Sequence, residues 1–196
     1  YFATQSFVDA QVGRLMDALE KNDILDKTII VFWSDHGYFL GEKGLWYKRK
    51  AFERSARVPL IISAPGMAKG ERSNKPVELL DLYPTLMDLC RISGSDRLQG
   101  QSLRPLLKNP KAESWTKPAV TLVWYGRDAW GYSLRTERYR YIEWLEGRAG
   151  RELYDHANDS EEVINLAGYP EHEELVASLS RQLKPYVTLK SNFRAE

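Results

Sequence analysis

One short apolar run, followed at once by a polar tetrapeptide, constrains the fold of this chain more than any other stretch. Residues 29–33 read IIVFW, which is β-branched and aromatic, of strand length and without helical spacing. The run predicts a buried central strand with outer bounds 28–34. The tetrapeptide SDHG at 34–37 then presents a carboxylate and an imidazole at the carboxyl end of that strand, where sites of open α/β sheets form.

Asp35 and His36 are the first candidates for chemistry. A carboxylate oxygen and an imidazole nitrogen suit a divalent cation or acid–base catalysis. Two residues alone do not complete a metal site, and a loop-capping Asp beside a surface His is the alternative. The other two histidines, His156 and His172, lie in polar stretches and are expected at the surface.

Two lysines, Lys43 and Lys48, follow the tetrapeptide in the glycine-punctuated segment GEKGLWYK. Flexible backbone and nearby aromatic rings, among them Tyr38, can bring an ammonium group toward an anion. For each lysine taken alone, a solvated surface charge is the alternative.

The remaining pattern predicts an α/β fold in two parts. In the first part, 1–110, an amphipathic helix within 1–21 precedes the central strand, and the apolar run 58–63 is the expected partner strand. A second amphipathic helix is predicted within 76–92. Residues 93–118 are rich in Gly, Pro, Ser and Lys and are expected to form a connector over the surface.

The second part, 111–196, changes to short extended runs, which predict a small antiparallel sheet. These runs lie at 119–125, 132–135 and 139–145. Residues 170–183 have the spacing of a helix that would cover the sheet. Trp130, in a glycine-containing WGY turn, is a candidate for stacking on a sugar ring, although most such rings pack against strands.

Charge and cysteine content exclude some classes of function. The formal net charge is +1, from 28 basic and 27 acidic residues, which gives no argument for nucleic-acid binding. No apolar stretch of about 18 residues predicts a membrane span. The single cysteine, Cys90, rules out an internal disulfide and is expected to be a small buried hydrophobe.

Several motifs in a fixed order resemble the second half of a type I sulfatase of the alkaline-phosphatase superfamily, within the iduronate-2-sulfatase-like branch. The central stretch is SDHGYFLGEKGLWYK followed by AFERSARVPLIISAPGM. The resemblance also covers YFATQSFVDAQVGRLMD, ELLDLYPTLMDL, GYSLRTERYRY and ELYDHANDSEEVINL, and it therefore spans nearly the whole chain. Each motif alone is weak, whereas the ordered set is specific.

The resemblance implies the C-terminal part of an alkaline-phosphatase-like α/β sandwich, followed by a small subdomain of antiparallel sheet and helix. It implies that Asp35 and His36 bind a calcium ion, with Mg²⁺ as the alternative, and that His36 and Lys48 act in catalysis. Lys48 would contact the sulfate group, and Tyr38 would line the substrate pocket with Trp130. Relatives often carry a second His at the position of Lys43, so its role in substrate binding stays open.

Sulfatases of this kind carry a C/S-x-P/A-x-R motif, whose Cys or Ser is oxidised to the formylglycine nucleophile, in their first half. The motif does not occur in this chain, and neither do the paired aspartates that complete the metal site. We therefore expect the C-terminal portion of a longer enzyme, inactive alone and partnered by an N-terminal half. By family analogy the location is periplasmic, secreted or lysosomal.

The expected function is hydrolysis of sulfate esters of sugars, with a 2-sulfated uronic acid as one candidate substrate. Three alternatives stay open. A phosphatase or phosphonate hydrolase of the same superfamily would also use a metal and a lysine. A non-catalytic module could bind anions or glycans, and a purely structural half could complete a core with its N-terminal partner.

Overall fold

The computed structural model describes residues 1–94, 97–125 and 130–188. Its helices are α1 Phe2–Lys21, α2 Glu53–Ala56, α3 Leu82–Leu89, α4 Arg104–Lys108 and α5 Glu173–Thr188. Its strands are β1 Ile30–Trp33, β2 Phe39–Leu40, β3 Trp46–Tyr47, β4 Leu60–Ser63, β5 Ala119–Trp124, β6 Trp130–Arg135, β7 Tyr139–Trp144 and β8 Arg151–Asp155. The last residues of the predicted second part, 189–196, lie outside the described ranges.

Strands β1 and β4 pair, as predicted, and the pair is antiparallel. Ile30 lies opposite Ser63 and Trp33 lies opposite Leu60. The expectation of a buried strand is wrong for this chain, because Trp33 is 50% exposed. In the described part of the chain β1 pairs with β4 alone, and its second half, Phe32 and Trp33, is exposed while Ile30 and Val31 are partly buried.

The predicted helices α1 and α3 are both present. Pro84 lies in the first turn of α3, where its missing N–H breaks no helical hydrogen bond. The buried carboxylate of Asp81, just before α3, accepts hydrogen bonds from Lys117 and from the backbone N–H of Gln101, so this residue is structural. Cys90 was expected to be buried, but it follows the end of α3 and is exposed.

The segment predicted as a surface connector, 93–118, is partly buried instead. It contains α4, and Leu106 and Trp115 pack with the partly buried Ile62 of β4. The indole N–H of Trp115 donates to the carbonyl of Pro76 at 2.9 Å. Gly, Pro and Ser content therefore indicated mostly irregular backbone, although four apolar residues of the segment belong to a core, namely Leu103, Leu106, Ala112 and Trp115.

The second part is a four-stranded antiparallel sheet in the order β5-β6-β7-β8, covered by α5. Leu134, Tyr141 and Leu153 are fully buried against Leu179 and Leu183 of the helix. Both the predicted sheet and the predicted covering helix are confirmed. No helix of the described residues is at once long enough and apolar enough to span a bilayer.

The opposite face of this sheet receives the chain that follows Lys48. Ala51 is 1% exposed and packs with Val123, Ile142 and Tyr154 of the sheet. The sheet therefore supports the loop that carries the predicted site residues.

Candidate functional site

The polar loop after β1 is shaped by its own backbone hydrogen bonds. The Ser34 hydroxyl donates to the carbonyl of His36 at 2.9 Å, and the His36 N–H donates to Asp35 Oδ1 at 3.0 Å. The Gly37 N–H donates to the carbonyl of Ser55 at 2.8 Å. A Cβ on Gly37 would lie 2.1 Å from the carbonyl oxygen of Arg54, so the two segments can approach this closely only because residue 37 is glycine.

The orientation of the His36 ring follows from its two nitrogens. Nδ1 lies 2.9 Å from the carbonyl oxygen of Gly37, which assigns the proton to Nδ1 and the lone pair to Nε2. Nε2 accepts from the ammonium of Lys48 at 2.8 Å and lies 3.3 Å from Asp35 Oδ2. One imidazole, one carboxylate and one ammonium thus converge on a single point.

The Asp35 and His36 donor atoms fit a divalent cation. Two ligand atoms at right angles about one Ca²⁺ lie about 3.4 Å apart, and Asp35 Oδ2 and His36 Nε2 are separated by 3.3 Å. The Asp35 side chain is 80% exposed, so it has room to turn toward an ion. The Lys48 ammonium lies 2.8 Å from His36 Nε2 and brings a positive charge close to these two donor atoms.

Lys48 is held by contacts on both sides of it. Tyr47 and Arg49 have φ of 70° and 67°, in the left-handed region, which costs about 1–3 kcal/mol for each non-glycine residue. The Tyr125 hydroxyl donates to the Arg49 carbonyl, and the Tyr47 ring meets Tyr38 edge-on with centroids 6.1 Å apart. Backbone strain on both sides of one residue is typical of a segment that tertiary contacts fix in place.

Comparison with known proteins identifies the family. The model of the N-sulphoglucosamine sulphohydrolase C-terminal family matches residues 41–188. The chain belongs to this sulfatase family. A sulfatase of Formosa agariphila is 37% identical over 167 residues, which cover 85% of this chain and 32% of the relative. This sulfatase chain therefore spans about a third of the length of that curated relative.

Solved structures confirm the predicted fold of the sulfatase chain. A 2-O GAG sulfatase superposes with a TM-score of 0.84 at 29% identity, over 96% of this chain and 42% of that structure. A phosphonate monoester hydrolase from Silicibacter pomeroyi superposes with a TM-score of 0.81 at 29% identity, over 91% of this chain and 38% of that structure. The chain is thus the C-terminal part of an alkaline-phosphatase-like α/β fold with its small sheet-and-helix subdomain.

Four predicted site residues of the sulfatase chain come together, and two lie elsewhere. Asp35, His36, Tyr38 and Lys48 line the same broad concavity beside β1 and β4. The Lys43 ammonium instead donates to a backbone carbonyl, that of Glu162, and lies over the rings of Phe52 and Tyr154 at 4.8 and 5.5 Å.

The other outlying residue is Trp130, which packs in the core under α5. Its ring meets Tyr132 edge-on at 5.6 Å, and the residue is only 8% exposed. A sugar needs an open ring face, and so little exposed surface does not provide one. The geometry therefore gives no support to Lys43 or Trp130 as substrate contacts.

A buried ion-pair network next to the site was not predicted from the sequence. The Arg140 guanidinium, on β7, bonds the carboxylates of Glu53 and Glu162, and His156 Nε2 lies 2.9 Å from Glu162 Oε1. The expectation that His156 is a surface residue is wrong, since its side chain is 8% exposed. Its ring nitrogens are bonded to Glu162 and Arg135, 6 and 21 positions away, and the polar residues around it in the sequence could not indicate these contacts.

Glu53, His156 and Glu162 also have the spacing of a metal site, because their potential ligand atoms lie within 4.8 Å of one another. Arg140 pairs with both carboxylates and Arg135 pairs with Glu53, so the two negative charges already face two guanidinium groups. Burial opposes ionisation of Glu53, but the guanidinium groups of Arg140 and Arg135 outweigh this effect and lower its pKa. The cluster is therefore an ion-pair network.

Proposed function

We propose that this chain is the C-terminal portion of a sulfatase that hydrolyses sulfate esters of sugars. The observation that carries the proposal is the convergence of Lys48 Nζ, His36 Nε2 and Asp35 Oδ2 on one point of an open concavity. Transfer of an anionic group requires positive charge where negative charge accumulates, and this point offers an ammonium group and two ligands for a cation.

We propose that Asp35 and His36 supply two ligands to a Ca²⁺ ion, with Mg²⁺ as the alternative. The bound cation would polarise the sulfate group as a Lewis acid. The bond from His36 Nδ1–H to the Gly37 carbonyl fixes the ring and makes Nε2 the ligand atom, from which a bound cation would displace the Lys48 ammonium. The remaining ligands would come from the rest of the protein.

Lys48 would neutralise charge on the ester or its leaving group. Its ammonium is a strong donor at the end of a flexible stem, whereas its backbone lies between two fixed residues. Tyr38 stands beside this segment and forms a wall of the pocket, with its ring 5.4 Å from that of Tyr1 in a stacked arrangement. The formylglycine nucleophile would belong to the N-terminal half, so the isolated chain should not turn over sulfate esters.

The N-terminal half of the same sulfatase is the partner that we propose for the exposed apolar faces. Phe7 and Leu15 on α1 are 66% and 67% exposed, and Trp33 and Ile61 on the β1–β4 pair are 50% and 61% exposed. Such large side chains are usually exposed together only at an interface. By family analogy, the complete protein would act in the periplasm, outside the cell or in the lysosome.

The likeness to a phosphonate monoester hydrolase supports a second candidate activity. The test is the ratio of kcat/KM for an aryl sulfate and for the matching aryl phosphonate monoester, measured on the full-length enzyme with Ca²⁺. A preference for the sulfate would support the sulfatase assignment. A preference for the phosphonate would replace it with the second candidate, and turnover of neither would favour a binding or structural role.

A further inference from the structure

One buried guanidinium connects the C-terminal sheet to the loop that carries Lys48. Arg140 is 2% exposed and donates to the Ala51 carbonyl at 3.1 Å and to Ser133 Oγ at 2.6 Å. It also donates to Glu162 Oε1 at 2.5 Å and to the carboxylate of Glu53. Two of these four acceptors, Ala51 and Glu53, belong to the segment 49–56 that follows Lys48.

The same segment is joined to the other half of the site. The Glu53 N–H donates to Glu162 Oε2 at 2.8 Å, which fixes the start of α2. At the end of α2, the Ser55 carbonyl accepts the N–H of Gly37, the residue after His36. Lys48 and His36 thus approach to 2.8 Å from opposite ends of one segment that Arg140 holds against the sheet.

Without the Arg140 guanidinium, the carboxylates of Glu53 and Glu162 would lose the charge that they pair with. We expect segment 49–56 to shift as a result. The Glu53 and Glu162 side chains are 15% and 2% exposed, and a buried carboxylate that loses its partner is strongly destabilised. Arg135 Nε, 3.3 Å from Glu53 Oε2, compensates one of the two carboxylates only in part. A lysine in place of Arg140 cannot reach four acceptors, because its charge is a single point on a flexible stem.

We infer that Arg140 is a positioning residue for the His36–Lys48 pair and acts through Glu53, Glu162 and the Ala51 carbonyl. Its guanidinium is 2% exposed and already bonded to four acceptors of the protein, so its proposed role is to hold other residues in place and not to bind substrate or cation itself. The expected effect of Arg140 on turnover rests on the proposed function. Its expected effect on the order of segment 49–56 does not depend on that function.

The experiment compares Arg140→Met and Arg140→Lys in the full-length protein with a matched control, Lys117→Met. Lys117 also pairs with two poorly exposed carboxylates, those of Glu78 and Asp81 at 2.5 and 2.7 Å, but it does not contact segment 49–56. We measure kcat and KM per folded molecule with an aryl sulfate, and amide hydrogen exchange under native conditions.

For Arg140→Met we expect kcat to fall about 10- to 100-fold with KM changed less than about threefold, since misplacement by about 1 Å has effects of this size. Exchange of the Gly37 amide and of amides in 49–56 should accelerate. Arg140→Lys should be intermediate, and Lys117→Met should lower the unfolding midpoint without either effect.

Two results would overturn the inference: unchanged exchange at Gly37 in Arg140→Met, or an equal loss of kcat in the Lys117→Met control. If the wild-type enzyme shows no turnover, the proposed function fails and hydrogen exchange alone decides this inference. If Arg140→Met does not fold, Arg140→Lys and the isosteric Glu53→Gln decide it by the same exchange measurement.

Discussion

The Lys48 ammonium lies 2.8 Å from His36 Nε2 across a loop in which 12 positions separate the two residues. The contact joins the residue that we propose as a cation ligand to the residue that we propose to meet the sulfate. Both are on the surface of the concavity, so each can be replaced with little effect on the core.

Replacement of Lys48 by Met in the full-length enzyme should lower kcat about 10²- to 10³-fold, the effect of removing one group that stabilises developing charge. The unfolding midpoint should stay within about 1 °C of the wild type, because Lys48 is exposed. Steady-state kinetics with an aryl sulfate and a thermal melt measure both quantities. Lys27→Met, in an exposed turn before β1, is the control, and an equal loss in both variants would remove Lys48 from the site.

Asp35→Asn should weaken Ca²⁺ binding about tenfold or more, since it takes one formal charge from the ligand set. Isothermal titration of the metal-free full-length protein measures this directly, without reference to turnover. Asp17→Asn, exposed on α1 and not among the residues that line the concavity, is the matched control. Equal affinities for wild type and Asp35→Asn would show that the cation, if bound, has other ligands.

Gly37→Ala should destabilise the folded chain by about 1–3 kcal/mol, the usual cost of overpacking. The new Cβ would meet the Arg54 carbonyl at 2.1 Å and break the approach between the SDHG loop and α2. Gly13→Ala in the middle of α1 has no atom within 4 Å of its Cβ and should stabilise by about 0.5–1 kcal/mol. Urea denaturation of both variants tests the contrast, and a neutral Gly37→Ala would contradict the tight approach.

Glu53 should make the stability depend on pH in the acid range. Its pKa is lowered below the ordinary value of 4.5, because the opposition of burial is outweighed by Arg140 and Arg135. The unfolded chain therefore binds this proton more readily, so the stabilisation is complete above pH 4.5 and is lost as pH falls through the folded pKa.

Glu53→Gln should accordingly be less stable than the wild type at neutral pH, and the difference should shrink below pH 4.5. Denaturant midpoints measured from neutral pH to about pH 3 follow this difference. A gap between the two proteins that is the same at every pH would show that the carboxylate charge of Glu53 contributes nothing.

The local sequence pattern predicted the positions of the helices and strands better than it predicted which of their residues are buried. The apolar runs at β1 and β4, and the helical spacing at α5, are properties of neighbouring residues, so the sequence carries them directly. The exposure of Phe32, Trp33 and Cys90 was not predictable from the sequence, because burial depends on what covers a residue.

In the candidate site, too, the sequence indicated some residues and gave no sign of others. Asp35 and His36 are predicted by their place after a strand, whereas the proposed contact of Lys48 with sulfate comes from resemblance to a family. The Arg140 network gave no signal, because its partners Glu53 and Arg140 are 87 positions apart and no periodicity connects them. Glu162 lies in the motif ELYDHANDSEEVINL, but only the three-dimensional structure shows its role. It accepts hydrogen bonds from Arg140, from His156 and from the Glu53 N–H.

The distance along the chain between the Lys48 loop and Arg140 also sets an order of events during synthesis. Asp35, His36 and Lys48 leave the ribosome long before β7, and Glu162 follows Glu53 by 109 residues. A nascent or prematurely terminated chain that ends before β7 would contain all three residues without the guanidinium that orders their loop. By this inference, the arrangement of the proposed site has to wait for the C-terminal sheet to be translated and folded.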